Sequence, residues 1–243
     1  MTRRRWIAER WDEATATLTG AQAAHLARVL RAQPGVEADV VAGGRVFHAH
    51  VTEVMAEEVC FALGEEAEAD PALPVTLVMS VFKFDRMEWA IEKATELGVA
   101  TIAPVIAQRT EKHLAQAADK RVERWRRIAH EAAQQSRRSD VAEIAVPVKL
   151  AERVKAERTC VRLVLAEQER GTTLKQAVEE VMAGSGAELP QLEIAIGPEG
   201  GWSPAEETLF VENGWKAVTL GPRILRAETA AIAALAVVAA WME

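Results

Sequence analysis

Two stretches near the C-terminal end of the sequence combine glycine, proline and charge in a way that suits ligand binding. The first, Ile194 to Glu206, reads IAIGPEGGWSPAE. Its apolar start has the character of a buried strand, and its end carries a helix-start signature: Ser203 as N-cap, Pro204 in the first turn and Glu206 completing a Ser-x-x-Glu box. Between them, Gly197, Gly200 and Gly201 present backbone with no Cβ in the way of a ligand. A glycine bend between strand and helix is the usual phosphate cradle, but here Glu199 stands at its centre and no lysine follows. That carboxylate repels phosphate and favours a cation or a donor-rich ligand. A tight turn needing glycine for geometry alone explains this loop equally well. The second stretch, Leu220 to Ala230, reads LGPRILRAETA. Gly221 and Pro222 force a bend, and Arg223, Arg226, Glu228 and Thr229 crowd polar groups into a short span.

Alternating strands and helices must position these loops. An apolar strand is expected over 75–82, then a helix over 85–97 with Asp85 as cap, Glu88 three residues later and Gly98 as its stop. Further strands are expected over 100–105, 161–165, 192–196 and 216–220, each followed by a helical stretch. Such alternation means an α/β fold with a mostly parallel sheet and helices on both faces, with ligands at the carboxyl ends of its strands. The segment 230–240 is apolar on every side and too short to cross a bilayer, so it must be buried all round, by its own domain or by a second subunit. Upstream the pattern differs. Residues 18–30 repeat apolar side chains at helical spacing, and Gly43-Gly44 separates two strand-like runs as a hairpin turn. Residues 1–68 therefore form a small β-rich domain, the acidic, proline-containing run 64–74 is the linker, and 74–243 form the second domain.

The composition is that of an ordinary globular protein, with 243 residues, 49% hydrophobic and 27% charged. No continuous apolar run is long enough to span a membrane, and a cytosolic location is expected. Cys60 and Cys160 lack metal-ligand or disulfide spacing and are read as buried thiols. No metal site is suggested. The formal net charge of -7 argues against a polyanionic partner, but the charge is unevenly distributed. Acidic residues concentrate at Glu57-Glu58 and in 64–70. Basic ones cluster at Arg3, Arg4 and Arg5 and again through Arg109, Lys112, Lys120, Arg121, Arg124, Arg126, Arg127, Arg137 and Arg138. That second run is either a solvated helix face or a nucleic-acid footprint. No GxGxxG follows an early strand and no Walker lysine is present, which counts against a Rossmann-type enzyme.

The paired loops, preceded by FKFDRMEWAIEKATELGV (82–99), RIAHEAAQQSRR (127–138) and HLARVLR (25–31), closely resemble the RsmE family of ribosomal RNA uridine methyltransferases, within the SPOUT superfamily. The resemblance spans essentially the whole chain. It implies a PUA-like N-terminal β-barrel that binds RNA, a SPOUT domain with a deep trefoil knot, and a homodimer. It further implies S-adenosylmethionine as methyl donor and N3 of a uridine in 16S rRNA as acceptor, the substrate being naked rRNA or the assembled small subunit. The positions it marks for the methyl donor are Leu165, Ile196, Gly197, Glu199, Gly200, Gly201, Leu220, Gly221, Ile224, Leu225, Arg226, Thr229 and Ala230. Methylating uridine N3 requires loss of an imide proton, and Arg226 is the candidate for holding O2 or O4 of the resulting anion; pairing with Glu228 or capping a helix is its structural alternative. Glu228 or Glu199 could accept the proton, and both could equally be structural. For RNA, Arg3, Arg4, Arg5, Arg28, Arg31, Lys83, Arg86, Arg109, Arg137 and Arg138 are candidate phosphate contacts, with Trp6 and His25 as stacking partners. Arg86 could instead pair with a neighbouring carboxylate. A non-catalytic RNA-binding module is the rival reading. Two positions depart from the family pattern: Ala227, where Thr or Ser is common, and Arg137, where glycine is common.

Overall fold

The structure is a computed structural model that describes residues 5–69, 71–184 and 189–242. Arg3 and Arg4 lie outside the described residues. Contacts divide the chain into two compact units, Met1–Pro71 with Ala133–Asp140, and Ala72–Ala132 with Val141–Glu243.

The first unit contains β1 (Arg5–Ile7), β2 (Arg10–Trp11), β3 (Thr15–Thr19), α1 (Gly20–Ala24), β4 (Glu37–Ala42), β5 (Arg45–Val54) and β6 (Glu58–Ala67). Their order in the sheet is β1-β4-β5-β6-β3-β2, antiparallel throughout except for β1 against β4. The sheet curls because its two edges are consecutive pieces of chain: the Ala8 N–H bonds the Val41 carbonyl, and the Glu9 N–H bonds the Thr17 carbonyl. Gly43 and Gly44 form the expected hairpin turn with φ of +61° and +80°, the left-handed pair that matches strand twist. The helix expected over 18–30 is shorter and less regular. Leu18 is fully buried in β3, α1 covers five residues, and His25–Val29 continue as a π-helical turn. The expected linker is also shorter, because residues 64–67 belong to β6, where Glu66 pairs across the sheet with Arg45. Trp6 is part of this unit's core with Leu18, Val40, Val59 and Phe61, so its ring is spent on packing. His25 is exposed and lies tilted against it.

The second unit contains β7 (Leu73–Ser80), α2 (Phe84–Glu96), β8 (Val99–Ile106), α3 (Lys112–Ala117), α4 (Val122–Gln135, whose end clusters with the first unit), β9 (Glu143–Ile144), β10 (Val148–Lys149), α5 (Leu150–Lys155), β11 (Val161–Leu165), α6 (Leu174–Gly184), β12 (Leu192–Ile196), α7 (Pro204–Glu212), β13 (Lys216–Val218) and α8 (Ala227–Met242). The sheet order is β10-β8-β7-β12-β11-β13, with β9 also on β8, and every pairing is parallel. Strand periodicity sends alternate side chains to two cores. Leu77, Met79, Ile194 and Leu163 meet α2 and α8 on one face, while Val78, Ala195 and Val164 meet α5 and α7 on the other.

Several local expectations need correction. Helix α2 starts at Phe84 with Lys83 as its N-cap and no side-chain cap, rather than on Asp85. Glu88 does not close a capping box because Arg124 takes both its oxygens at 2.7 and 2.8 Å, with Arg121 at 3.6 Å. Part of the basic run is thereby paired within the chain; Arg126 pairs with Glu123 in the same way. Cys60 and Cys160 are free but only half-buried; burial still raises the Cys160 thiol above its ordinary value. Helix α8 is not buried all round within the single chain. Ala231, Ala234, Leu235 and Val238 face the core, whereas Ala236, Ala240 and Trp241 are exposed.

Arg137 has a defined backbone role. At the end of α4 the Arg138 N–H bonds the Ala133 carbonyl and the Arg137 N–H bonds the Gln134 carbonyl, a Schellman motif whose left-handed position is Arg137, at φ +59°. Glycine suits that conformation best, which is the physical content of the departure at this position.

Candidate functional site

The two glycine loops meet in the second unit. Sheet order sets β11, β12 and β13 side by side, so the chain segments leaving their carboxyl ends converge on a cleft of about 550 Å³, within the usual size of small-molecule sites. Of the positions expected to hold a methyl donor, Leu165, Ile196, Gly197, Glu199, Gly201, Leu220, Gly221, Ile224, Leu225, Arg226 and Ala230 line this cleft. Gly200 and Thr229 do not.

The first loop is held by its neighbours. Trp202, buried, donates its indole N–H to the Leu165 carbonyl at 2.9 Å and packs edge-on against Phe210. The Gly201 N–H turns back to the Pro198 carbonyl at 2.8 Å with φ of +67°, and a Cβ there would come within 3.4 Å of the Glu167 carboxylate. Glycine is therefore favoured by conformation rather than by space, since 3.4 Å is an ordinary van der Waals contact. The expected capping box is present: Ser203 Oγ accepts the Glu206 N–H, and Glu206 Oε2 accepts the Ser203 N–H. The other oxygen of Glu206 accepts the Gln108 N–H at 2.7 Å, tying the loop to the segment after β8. Glu199 has its cations within the chain, with Arg86 Nη1 at 2.7 Å and Lys83 Nζ at 3.8 Å. The Gly200 carbonyl accepts from Arg109 Nη1 at 2.6 Å.

The second loop is more open. Thr219 Oγ1 and the Gly221 backbone exchange hydrogen bonds at 3.1 and 3.2 Å, and the Arg226 carbonyl receives the Ala230 N–H in the first turn of α8. Pro222, Arg223, Ile224 and Arg226 are exposed, Ile224 by 74%. The Arg226 guanidinium lines the cleft and makes no ion pair among the described residues, Glu228 included. Glu228 does not line the cleft. It is 7% exposed, its Oε2 has no hydrogen-bond partner, and Arg86 Nε lies 3.9 Å from its Oε1.

A third wall was not read from the sequence beyond Leu165. The segment after β11 contributes Ala166, Glu167, Gln168 and Arg170. Glu169 shapes it by accepting the Thr172 and Gly171 N–H groups, which hold its carboxyl below the ordinary glutamate value. Trp202, Pro204, Glu207, Val218 and Thr219 were also missed as lining residues. The available signal was β11 itself, a strand whose carboxyl end abuts β12, but adjacency in a sheet is not written in chain order.

The candidate phosphate contacts scatter. Arg28 and Arg31 are exposed, Arg31 at φ +51°, as is Arg137. Arg5 is half-buried and donates to the Arg137 carbonyl, and Arg138 is buried against Asp140. Lys83 is exposed beside Glu199, while Arg86 and Arg109 belong to the cleft wall. Among the described residues no cluster of three or more His, Cys, Asp or Glu could hold a metal ion, and no helix is long and apolar enough to cross a membrane.

Comparison with known proteins places this geometry. Residues 69–239 match the RNA methyltransferase domain family. The chain is 36% identical over 241 residues to ribosomal RNA small subunit methyltransferase E of Synechocystis sp., covering 95% of this chain and 75% of that one. It is 32% identical to the same-named protein of Aquifex aeolicus, over 86% of this chain and 88% of the relative. A crystal structure of ribosomal RNA small subunit methyltransferase E from Neisseria gonorrhoeae bound to S-adenosyl methionine superimposes with a TM-score of 0.82 at 29% identity, covering 97% of this chain and 96% of that one. A Legionella pneumophila putative methyltransferase in complex with the same cofactor also gives 0.82 at 28% identity, covering 99% of this chain and 98% of that one. The fold, the paired loops and these similarities converge: the chain belongs to the ribosomal RNA small subunit methyltransferase E family of RNA methyltransferases.

Proposed function

We propose that this chain transfers a methyl group from S-adenosylmethionine to N3 of a uridine in small-subunit (16S) rRNA, as a cytoplasmic homodimer. The observation that carries the reading is the cleft where both glycine loops meet at the ends of three parallel strands, in a fold whose solved relatives hold that cofactor. The residues fit the ligand. The cleft is lined by apolar Leu165, Ile196 and Leu225 together with Gly197 and Leu220, a setting that suits the uncharged adenosine of adenosylmethionine. When bound, it supplies an electrophilic methyl on a sulfonium that departs as a neutral thioether.

The chain's own contribution is orientation and charge. The uridine N3–H bond must break before N3 forms its bond to carbon, leaving negative charge on O2 and O4. Arg226, lining the cleft with its guanidinium unspent, supplies the cation for that charge. Of the two carboxylates considered as proton acceptors, only Glu199 lines the cleft, where it is paired with Arg86.

The same reading assigns the first unit as PUA-like and RNA-binding, supported by its curled sheet and by exposed Arg28, Arg31 and Arg137. It assigns the second as a trefoil-knotted SPOUT domain, supported by the insertion of β12 between β7 and β11 before β13 returns to the outer side of β11. A second copy is supported by the outer face of α8, where Trp241, exposed by 39%, lies on the same unit as Trp89 of α2, exposed by 47%. Light scattering showing a stable monomer at micromolar concentration counts against the dimer. The decisive experiment incubates the protein with labelled adenosylmethionine and unmodified small-subunit rRNA or subunits, then digests the RNA to nucleosides for mass spectrometry. Labelled 3-methyluridine is expected; no transfer, or label on another nucleoside, overturns the proposal.

A further inference from the structure

Arg86 and Arg109 carry charge that the sequence alone offers to RNA. In the folded chain they reach consecutive residues of one loop. Arg86, in the first turn of α2, donates to the Glu199 side chain at 2.7 Å, and Arg109, three residues beyond β8, donates to the Gly200 carbonyl at 2.6 Å. Neither contact is local, since the chain separations are 113 and 91 residues. Arg109 also packs its Cδ 3.4 Å from where a Cβ on Gly200 would stand, so stem and head both engage the loop. Arg86 has a second anchor: its Nε is 3.9 Å from Glu228 Oε1 in the first turn of α8. The other oxygen of that carboxyl group is buried without a hydrogen-bond partner, so Arg86 supplies the polar contact on its first oxygen.

We infer that Arg86 and Arg109 are positioning residues of the methyl-donor site, a clamp that holds the Glu199 side chain and the Gly200 carbonyl in place and, through Glu228, couples them to the start of α8. This rests on the proposed methyl-donor reading of the cleft. A loop of glycines is expensive to order, and charge-assisted bonds made before the ligand arrives remove that cost from binding. Arg86 is the stronger member because it reaches both the first glycine loop and the start of α8.

The test uses the full-length chain and its Arg86→Met, Arg109→Met, Arg86→Lys and Glu228→Gln variants, each checked by circular dichroism and thermal melting. Adenosylmethionine affinity is measured by calorimetry, and affinity for a small-subunit rRNA fragment is measured across a salt series. The methionine variants are expected to weaken donor binding on the order of tenfold, the scale of a lost charge-assisted bond, with Arg86→Lys recovering part of the loss. Methylation at saturating donor should fall less than donor affinity does, a split that loss of overall stability would not produce. The salt slope of RNA binding should stay at its wild-type value. A phosphate contact predicts the reverse, with donor affinity unchanged and the slope reduced by about 1 per residue removed, and that result overturns the inference. If Arg86→Met does not fold, Glu228→Gln is decisive, because it weakens the second anchor without emptying the site; unchanged donor affinity in that folded variant overturns the coupling. A wild-type chain that binds no adenosylmethionine sinks the underlying reading and the inference with it, whereas a binding wild type matched by every variant sinks the inference alone.

Discussion

The first glycine loop and the second differ in how far their polar groups are already committed. In the first, the Glu199 carboxylate, the Gly200 carbonyl, the Gly201 N–H and both oxygens of Glu206 all have partners, three of them outside the loop itself. In the second, the hydrogen bonds are the Thr219–Gly221 exchange and the helix bond from Ala230, and Pro222, Arg223, Ile224 and Arg226 are exposed. A loop whose donors and acceptors are spent presents a fixed surface, which suits a ligand that binds in the same pose every turnover. A loop with an unpaired arginine and an exposed isoleucine keeps its binding capacity for something else, and in the proposed function that is the RNA base and the second copy. The cleft thus joins a prepared shelf to an open edge.

The largest expected effect lies on the open edge. Replacing Arg226 by Ala should slow single-turnover methylation by about 2 to 4 kcal/mol of barrier while leaving donor affinity near wild type, as for loss of a preorganised anion donor. Lysine there keeps the charge without the planar fork and should lose less. If both variants, saturated with donor and RNA, react at the wild-type rate, the open edge has no chemical part. On the prepared shelf, Gly201→Val forces a branched residue into a left-handed conformation beside Glu167, a strain of about 1 to 3 kcal/mol. Donor affinity measured by calorimetry should drop by that amount in a protein still folded by circular dichroism. Unchanged affinity would mean that the shelf does not hold the donor.

A stability pair tests the contrast without any ligand. Glu206→Ala removes the capping box and the bond to Gln108, and should cost about 1 to 2 kcal/mol in denaturant unfolding. Ile224→Ser, on the second loop, should stay within about 0.5 kcal/mol. Comparable losses at both sites would erase the distinction between the loops. A last effect has the opposite sign and calibrates the strain argument. Arg137 occupies, as a non-glycine, nearly the φ that Gly201 occupies as glycine, so Arg137→Gly should raise stability by about 1 kcal/mol. A destabilised Arg137→Gly would show that the backbone at these angles is not what makes Gly201 necessary.

Much of the fold was legible because it rests on short-range rules. Strand periodicity placed β11 and β12 to the residue, the Ser203–Glu206 box marked the start of α7, and Gly43-Gly44 named its hairpin. Where a long-range partner competes for a side chain, the same rules misread. Asp85 and Glu88 look like a helix start, but the guanidinium of Arg124 on α4 outbids the backbone for Glu88. Residues 64–67 look like linker, yet pairing with β5 draws them into a strand. Most of the two cleft loops was readable as well, since glycine, proline and caps announce themselves. The wall after β11 was not, because its place depends on which strand sits next to β12.

What the sequence determines by itself is therefore the list of elements and the special backbone of the loops, since both follow from side-chain periodicity and from the φ that glycine allows. Only the tertiary structure decides what each charge is for. Arg28, Arg86, Arg109 and Arg138 are equivalent as letters, but one is exposed, two hold the cleft wall and one is buried against Asp140. An arginine's role is set by the carboxylate or carbonyl that lies within about 3 Å of its guanidinium, and for Arg86 and Arg109 that neighbour is chosen by sheet order and helix packing rather than by chain position.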